Sequence, residues 1–246
     1  MGESKGDTFC KQMRAATRQI HAVSDAVVNA KLAFSVQNDR VWADGLLVFY
    51  EIFKYLEKAM PGIAKKYEID NLIPPEMEVT KAFEKDLNFY LGKNWNKNYT
   101  PRESVISYLN HLKTLKSKKP ILLLAYVYHL YMGLLSGGLI LRKRRQLIQI
   151  VTPYKSSFKL EGSHVTDFGD NSIYRLKKNL RNKMNALAEG LDEQTKSQLI
   201  EESKVVFVMN NQIIRSIEGA TAAAVKKLIY CFMILLVFIS FYVFKQ

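Results

Sequence analysis

The sequence predicts an all-α fold: one multi-helix domain followed by a hydrophobic C-terminal segment. Apolar residues recur at helical spacing along most of the chain. No stretch long enough for a β-strand alternates between apolar and polar residues. Two uncharged apolar runs also stand out, at 121–141 and 228–244. Of the 246 residues, 48% are hydrophobic and 24% charged, which is typical of a globular protein and excludes a disordered, collagen-like or disulfide-stapled chain.

Caps, helix breakers and apolar spacing predict the helices in order. Residues 8–24 carry apolar side chains at helical spacing. Asp44 is a suitable N-cap for a helix over 45–60, which Pro61-Gly62 should end. The further predicted helices are 76–91, 101–116, 121–141 with an extension towards 151, 172–189 and 193–218. Residues 153–171, which hold Pro, Gly, Ser and Asp, are predicted as a loop.

The run at 228–244 predicts a C-terminal membrane anchor. It contains one Ser, one Cys and two Tyr among large apolar residues, and Lys226, Lys227 and Lys245 flank it. Because the N-terminus lacks an apolar signal segment, we expect the rest of the chain to face the cytosol. The predicted organisation is a disordered N-terminus at 1–7, a helical domain at 8–220, a short linker at 221–227 and the anchor at 228–244.

The run at 121–141 has two interpretations on its own composition. It contains His129 and three glycines within six residues, and basic residues flank both of its ends. Glycines lower helix stability in water but let a backbone approach a flat or bulky partner closely. Composition alone therefore leaves open a buried helix and a membrane span.

The formal net charge of +13 indicates an acidic partner, but charge alone does not say whether that partner is a nucleic acid, a membrane, a protein or a ligand.

The chain has two cysteines, Cys10 and Cys231, which are too few for a disulfide framework or a Cys-rich zinc site. Phosphate-loop, dinucleotide, zinc-protease and serine-elbow motifs are absent from the sequence. The spacing Glu161-x-x-His164 is used in di-iron carboxylate sites, but here it lies in a Gly/Ser-rich loop and is interpreted as chance. The basic run 142–145 is interpreted as a solvated helix end.

His21 is the histidine with the most informative surroundings. It follows Arg14 by two helical turns and Arg18 by three residues on an amphipathic segment. Such a histidine is either a solvated surface residue or a metal ligand beneath a carboxylate-bearing molecule.

Several segments, taken in order, resemble the heme oxygenases, and the animal, membrane-anchored enzymes most of all. RAATRQIHAVSD is similar to the proximal helix of that family and YVYHLYMGLLSGGLIL to its distal helix. Further matches are FEKDLNFYLGKNW, YRLKKNLRNKMNAL and IEESKVVFVMNNQI. The resemblance implies a heme held between a proximal and a kinked distal helix, and so favours a buried helix at 121–141.

Site residues follow from the same resemblance. His21 would be the axial ligand of the heme iron, while Gly133 and Gly137 would let the distal backbone lie against the heme face. The residues implied to meet the propionates or line the pocket are Arg14, Tyr128, Lys177, Arg181, Phe207 and Asn210.

The implied activity is oxidative cleavage of heme, which is both cofactor and substrate, to biliverdin, CO and ferrous iron. O2 and electrons from NADPH–cytochrome P450 reductase would drive it, with biliverdin reductase as a further candidate partner. The implied location is the endoplasmic reticulum membrane, with a monomeric catalytic domain facing the cytosol and no role for nucleic acid.

One departure from the family pattern concerns proton delivery. Leu134 stands where the family has an Asp that orders water, and Leu130 stands where it has an Arg. The alternative function is therefore a heme-binding sensor or carrier with weak turnover. A tail-anchored interaction protein without heme is a third hypothesis.

Overall fold

The computed structural model describes residues 8–32, 38–97, 99–151, 162–219 and 233, and these residues form helices and connecting loops without a strand. The α-helices are α1 Phe9–Ala16, α2 Arg18–Leu32, α3 Asp39–Tyr67, α4 Thr80–Leu91, α5 Glu103–Lys118, α6 Leu123–Gly133, α7 Leu139–Val151, α8 Ile173–Glu189 and α9 Glu193–Arg215. The all-α prediction is thus confirmed for the helical domain. The predicted N-terminal segment, linker and anchor lie outside the described residues except for Met233.

The predicted helix over 8–24 is two helices that meet at Thr17. Phe9, Met13 and Thr17 follow one another at four-residue intervals and are all buried. The Thr17 hydroxyl donates a hydrogen bond to the carbonyl oxygen of Met13 at 2.8 Å. A Thr side chain that bonds its own helix in this way competes with the backbone ladder and tends to bend a helix.

Helix α3 is much longer than the sequence predicts. Asn38, not Asp44, is its N-cap, and its side chain accepts hydrogen bonds from the N–H groups of Arg40 and Val41. The helix continues through Pro61 to Tyr67. An interior proline costs about 3 kcal/mol, but each large apolar side chain buried around it contributes about 1.5–3 kcal/mol. The buried positions Leu56, Ala59, Met60 and Ile63 therefore keep the helix in place.

Asp44 instead ties α3 to two distant segments. Its carboxylate pairs with the Arg102 guanidinium and accepts a hydrogen bond from the N–H of Glu218 at 2.7 Å. This carboxylate therefore joins the start of α3 to the start of α5 and to the chain after α9.

A carboxylate on α3 also sets the start of α4. Glu57 accepts hydrogen bonds from the N–H groups of Val79 and Thr80 and from the Thr80 hydroxyl. Charged acceptors at a helix N-terminus satisfy its unpaired N–H groups. The α-helix predicted over 76–91 accordingly begins at Thr80, after a short 3-10 turn at Pro75–Met77.

The apolar run at 121–141 forms the centre of the domain. It comprises a 3-10 turn at Pro120–Leu122, α6, a π-helical segment at Leu134–Gly138 and the start of α7. Every residue from Ile121 to Tyr128 is buried, and α6 packs against α3, α8 and α9. Among the described residues this is the one helix long and apolar enough to cross a bilayer, yet 61% of its most apolar window is buried inside the protein. The prediction of a buried helix is confirmed.

Part of the predicted loop at 153–171 is ordered by Asp86 of α4. This carboxylate is 1% exposed and accepts hydrogen bonds from the N–H groups of His164 and Val165, both at 2.9 Å. It also contacts the His164 Nδ1 at 2.7 Å. The result is a 3-10 turn at His164–Thr166 that packs against the π-helical segment.

The basic run 142–145 is not a uniformly solvated helix end. Arg145 is 5% exposed, pairs with Asp39 and lies over the rings of Trp42 and Tyr90. Arg142 donates a hydrogen bond to the carbonyl oxygen of Thr166 at 3.0 Å. These two arginines are therefore structural, because they hold α7 against neighbouring elements.

Candidate functional site

The candidate site lies where α1 and α2 approach α6, the π-helical segment and α9. On the distal side, Gly133 and Gly137 border open space, because a Cβ added to either glycine would meet no atom within 4 Å. Gly138 differs, since its Cβ would lie 3.2 Å from Leu134 Cδ1 and 3.3 Å from Thr166 Cγ2. Two of the three glycines thus leave room for a ligand, while the third permits close internal packing.

Both ligand-side glycines adjoin a local change of helix type. The segment Leu134–Gly138 has π-helical hydrogen bonding between two α-helices. Such π segments interrupt the regular helical register and occur often at functional sites. The resemblance implies a kinked distal helix, and the structure has a change of helix type that includes the Ser-Gly-Gly sequence.

His21 projects from α2 and contacts Phe207 of α9. Its side chain is 56% exposed, and its Nδ1 lies 3.1 Å from a carboxylate oxygen of Asp25, four residues later. In a neutral imidazole whose Nδ1–H donates to a carboxylate, the lone pair of Nε2 is available to a metal. The geometry suits the axial-ligand role predicted for His21, and it adds Asp25, which the sequence analysis did not single out.

Phe207 of α9 connects this histidine to a second one. Its ring centroid lies 5.3 Å from that of His21 and 5.0 Å from that of His129 on α6. The His129 Nε2 is buried and has no hydrogen-bond partner among the described residues. Burial, with a smaller contribution from His21, lowers the pKa of His129 to about 3, so the imidazole is neutral at physiological pH. No sequence motif assigns a role to His129.

The predicted propionate-binding cations lie on α1 and α8. Arg14 is exposed, whereas Lys177 and Arg181 are half-buried and share a face of α8. None of the three forms a salt bridge with another described residue. Burial raises the pKa of Tyr128, and the charges of Arg181 and Arg14 lie close enough to oppose that rise. Arg14, Arg181 and Tyr128 therefore form a cationic edge of the site.

Cys10 lies beneath this edge. Its thiol is 3.6 Å from the carbonyl oxygen of Arg181, and its backbone N–H donates to the side chain of Asn185 at 2.9 Å. Burial raises the pKa of the thiol to about 11, partly offset by the Tyr128 hydroxyl and the charge of Arg181. Cys10 is therefore a protonated packing residue that joins α1 to α8.

Asn210 is held in place by Tyr108 of α5. The fully buried Tyr108 donates a hydrogen bond from its hydroxyl to Asn210 Oδ1 at 3.1 Å. With its oxygen engaged, the amide has its NH2 group left to offer to a ligand. Sequence reasoning did not identify Tyr108, because no local pattern reveals a hydrogen bond between residues 102 positions apart.

The two departures from the family pattern make part of the distal wall apolar. Leu130 is 5% exposed, and Leu134 is half-buried with its methyl groups close to Gly138. Neither side chain can order water or transfer a proton. No group of three or more potential metal-binding side chains occurs in the described part of the chain.

The arrangement fits one kind of molecule. The site offers an exposed imidazole on α2, a stretch of helix backbone bordered by open space at Gly133 and Gly137, and cations on α1 and α8. A flat metal complex with acidic substituents would satisfy all three features.

The chain is similar to known proteins of one family. A family model described as heme oxygenase matches residues 7–216. Heme oxygenase 2 of Synechocystis sp. is 27% identical over 224 residues, which cover 88% of this chain and 86% of the relative. Heme oxygenase 1 of Gallus gallus is 27% identical over 227 residues, which cover 88% of this chain and 72% of the relative.

The fold also matches solved structures. The structure of heme oxygenase-2 from Synechocystis sp. in complex with heme and NO superimposes with a TM-score of 0.73 at 25% identity. That match covers 88% of each chain.

Proposed function

The chain belongs to the heme oxygenase family and is a heme-degrading oxygenase at the level of that family, and on that premise we propose that it cleaves heme with O2 and electrons from NADPH–cytochrome P450 reductase. Bound heme would supply both the iron that activates O2 and the porphyrin that is cleaved to biliverdin, CO and ferrous iron. The observations that support the proposal are the exposed His21 imidazole paired with Asp25 and the open space that borders Gly133 and Gly137.

On the proximal side, His21 would bind the iron through Nε2. Asp25 accepts a hydrogen bond from Nδ1, and this contact fixes both the tautomer and the plane of the ring. A hydrogen-bonded carboxylate also makes the imidazole a more basic ligand. The two residues are one helical turn apart, so α2 itself maintains their geometry.

On the distal side, Gly133 and Gly137 would admit the heme face to within contact distance of the backbone. A methyl group at either position would occupy the space that the macrocycle needs. Close backbone contact also excludes bulk water from the reacting face and limits the directions open to a small ligand on the iron.

At the edge, Arg14, Lys177 and Arg181 would bind the two propionates and so set the rotation of the macrocycle. Each pair should contribute about 0.5–3 kcal/mol, with exposed Arg14 near the lower limit because water screens its charge. Tyr128, which lies close to two of these cations, would offer its hydroxyl to the same carboxylates.

Leu134 and Leu130 favour a second candidate function, a heme-binding sensor or carrier with weak turnover. Their side chains supply no polar atom where ordered water would have to be held. On this alternative the protein binds heme through the same residues but converts it slowly.

We propose further that residues 228–244 anchor the protein in the endoplasmic reticulum membrane with the helical domain in the cytosol. The excess of basic residues supports contact with an acidic reductase and an anionic membrane surface. Biliverdin reductase is a further proposed partner, and a monomeric domain is the proposed assembly state.

Turnover of the full chain tests the proposal. The protein is reconstituted with heme in detergent, then given O2, reductase and NADPH, and its absorption spectrum is followed. We expect loss of the Soret band and appearance of biliverdin absorption, and we expect His21→Ala to lose normal iron ligation. Stable heme binding without biliverdin would favour the sensor or carrier, whereas no Soret band at all would contradict a heme function.

A further inference from the structure

The connection between α4 and α5 carries exposed apolar and basic side chains that the heme site does not use. Phe89 and Leu91, in the last turn of α4, are 47% and 41% exposed. Lys93 and Lys97 follow in the six residues after Leu91 and are also exposed. Single exposed apolar residues are ordinary, but apolar, aromatic and basic side chains together are typical of a contact with the membrane–water interface. Residues 89–97 form the connecting segment.

The connecting segment is held against α3 by aromatic contacts. The half-buried Trp95 packs edge-on against the ring of Tyr50, with centroids 5.3 Å apart, and lies 5.6 Å from the ring of Tyr99. The Tyr99 hydroxyl donates a hydrogen bond to the carbonyl oxygen of Leu47 at 3.2 Å. The segment is therefore fixed before it meets any partner, so docking would cost little conformational entropy.

The connecting segment lies at the N-terminal end of α3. The start of α4 meets Glu57, whose carboxylate accepts a hydrogen bond from the N–H of Thr80. At the other end of α4, the Tyr90 ring lies under the Arg145 guanidinium, which pairs with Asp39. Helix α4 therefore runs antiparallel to α3, and its last turn lies beside the first turns of α3.

The chain leaves the helical domain at the same end. Arg102, which opens α5, donates a hydrogen bond to the carbonyl oxygen of Ser216 and pairs with Asp44. The N–H of Glu218 also donates to the Asp44 carboxylate, at 2.7 Å. The residues after α9 are thus attached to the early part of α3 and to the end of the link between α4 and α5.

The link from this end of the domain to the proposed anchor is short. Eight residues, 220–227, separate Gly219 from the apolar run at 228–244. An extended chain of that length places Leu228 within about 32 Å of Gly219. Helix α3 alone, with 29 residues, is about 40 Å long. Insertion of 228–244 would therefore keep the connecting segment closer to the bilayer than the far end of α3.

Charge favours an anionic lipid surface as the occupant. Residues 88–102 contain three basic residues and no acidic one. Anionic headgroups would meet Lys93 and Lys97, while Phe89 and Leu91 would enter the apolar side of the interface. An acidic protein would match the charge, but the short link to the anchor brings this surface to the membrane.

We propose that the connecting segment docks on the anionic surface of the membrane in which residues 228–244 are anchored, through Phe89, Leu91, Lys93 and Lys97. This inference rests on the proposed anchor, because the anchor supplies the proximity. Docking would give the helical domain one orientation on the bilayer, whereas an anchor alone would leave the domain free to rotate on its link.

The test places a nitrobenzoxadiazole fluorophore at Leu91→Cys in the full chain, in a Cys231→Ser background. Burial raises the pKa of the Cys10 thiol to about 11, so this cysteine stays unlabelled at neutral pH. Lys65→Cys, exposed in the last turn of α3, carries the same fluorophore as the matched control. Each folded protein is inserted into vesicles of phosphatidylcholine, with or without phosphatidylserine, and flotation at high salt measures insertion.

The fluorophore reports docking directly. With phosphatidylserine at low salt, we expect the emission at position 91 to shift to shorter wavelength and to be quenched by nitroxide-labelled lipid. Emission at position 65 should stay that of a probe in water. Lys93→Gln with Lys97→Gln should lower the ratio of docked to undocked protein about 30-fold, the factor that corresponds to about 1 kcal/mol for each of two basic residues. Lys65→Gln with Lys66→Gln, the control pair, should leave this ratio unchanged.

Three outcomes would overturn the inference while leaving the anchor in place. In the first, the full chain inserts but the probe at position 91 stays in water with both kinds of vesicle. In the second, the two double variants reduce docking equally, so the effect belongs to net charge. In the third, the probe responds to added reductase and not to phosphatidylserine, so an acidic protein occupies the surface. If the full chain does not float at high salt, the proposed anchor and this inference both fail.

Discussion

At the scale of single residues, the site depends on side chains that support a functional residue without belonging to a recognised motif. Asp25 is an example. It accepts a hydrogen bond from His21 Nδ1, the ring nitrogen that would not bind the iron. Partners of this kind set the tautomer and basicity of a metal-binding histidine.

Asp25→Asn tests that role. Asn keeps the size of the side chain but removes the charge that holds Nδ1–H, so His21 becomes a weaker and less ordered ligand. We expect heme affinity to fall about 10- to 100-fold, measured as the rate of heme transfer to a scavenger protein. Asp170→Asn, an exposed loop substitution, is the control. Equal transfer rates for wild type and Asp25→Asn would contradict the assignment.

The two neighbouring glycines of the π-helical segment provide a second, matched test. Gly137→Ala places a methyl group in open space, so the heme-free protein should keep its stability while heme binding weakens. Gly138→Ala places its methyl group 3.2 Å and 3.3 Å from the side chains of Leu134 and Thr166. We therefore expect Gly138→Ala to unfold at a lower temperature than Gly137→Ala, because Leu134 and Thr166 must shift to admit the methyl group.

Thermal unfolding of both heme-free variants and heme titration of both would separate the two effects. If Gly137→Ala destabilises the heme-free protein and leaves heme affinity unchanged, that glycine is a packing residue and does not border the heme.

At the scale of helices, local sequence patterns predicted which segments are helical better than they predicted the residues at which the helices begin and end. The apolar spacing that predicts α8 and α9 is confirmed, and their caps are local, with Ser172 and Asp192 accepting from N–H groups three residues later. The predicted C-terminal end of α3 and the predicted start of α4 were wrong because tertiary contacts set them: burial around Pro61, and the hydrogen bonds from Glu57 to Thr80. The predicted start of α3 was wrong for a local reason, since Asn38 and not Asp44 is its N-cap.

The residues of the candidate site also divide into those that a local sequence pattern identifies and those that only the structure reveals. His21, Gly133 and Gly137 could be named because their motifs resemble those of a known family. Tyr108 and His129 could not, because their surroundings depend on hydrogen bonds and burial that no local spacing encodes. Asp25 lies four residues after His21, so helical spacing could have identified it.

Asp86 illustrates how one carboxylate orders an element. Asp86→Ala would leave the N–H groups of His164 and Val165 without an acceptor in a buried setting. We expect a loss of about 3 kcal/mol in the free energy of unfolding, or a fall of about 6–12 °C in Tm. Because the 3-10 turn at His164–Thr166 contacts the π-helical segment, amide hydrogen exchange should also accelerate there. An unchanged Tm, equal to that of Asp170→Ala, would refute this role.

At the scale of the whole molecule, charge and hydrophobicity predict two separable modes of membrane association. The net charge is +13, and only three of the 36 basic residues lie from Lys226 onward. The basic surface therefore belongs mainly to the part of the chain that precedes the proposed anchor. Electrostatic attraction is weakened by salt, whereas insertion of an apolar helix is not.

Flotation with lipid vesicles at two salt concentrations can therefore test whether residues 228–244 insert into a membrane. The full chain and a chain ending at Gly219 are mixed with neutral phosphatidylcholine vesicles or with vesicles containing an anionic lipid, then floated at low and high salt. If 228–244 inserts, the full chain floats with both vesicle types at every salt concentration. The shortened chain should float only with anionic vesicles at low salt, because about 1 kcal/mol per basic residue near the surface is lost when ions screen it. Flotation of the full chain that salt abolishes would mean that the basic surface, and not an inserted helix, holds the protein at the membrane.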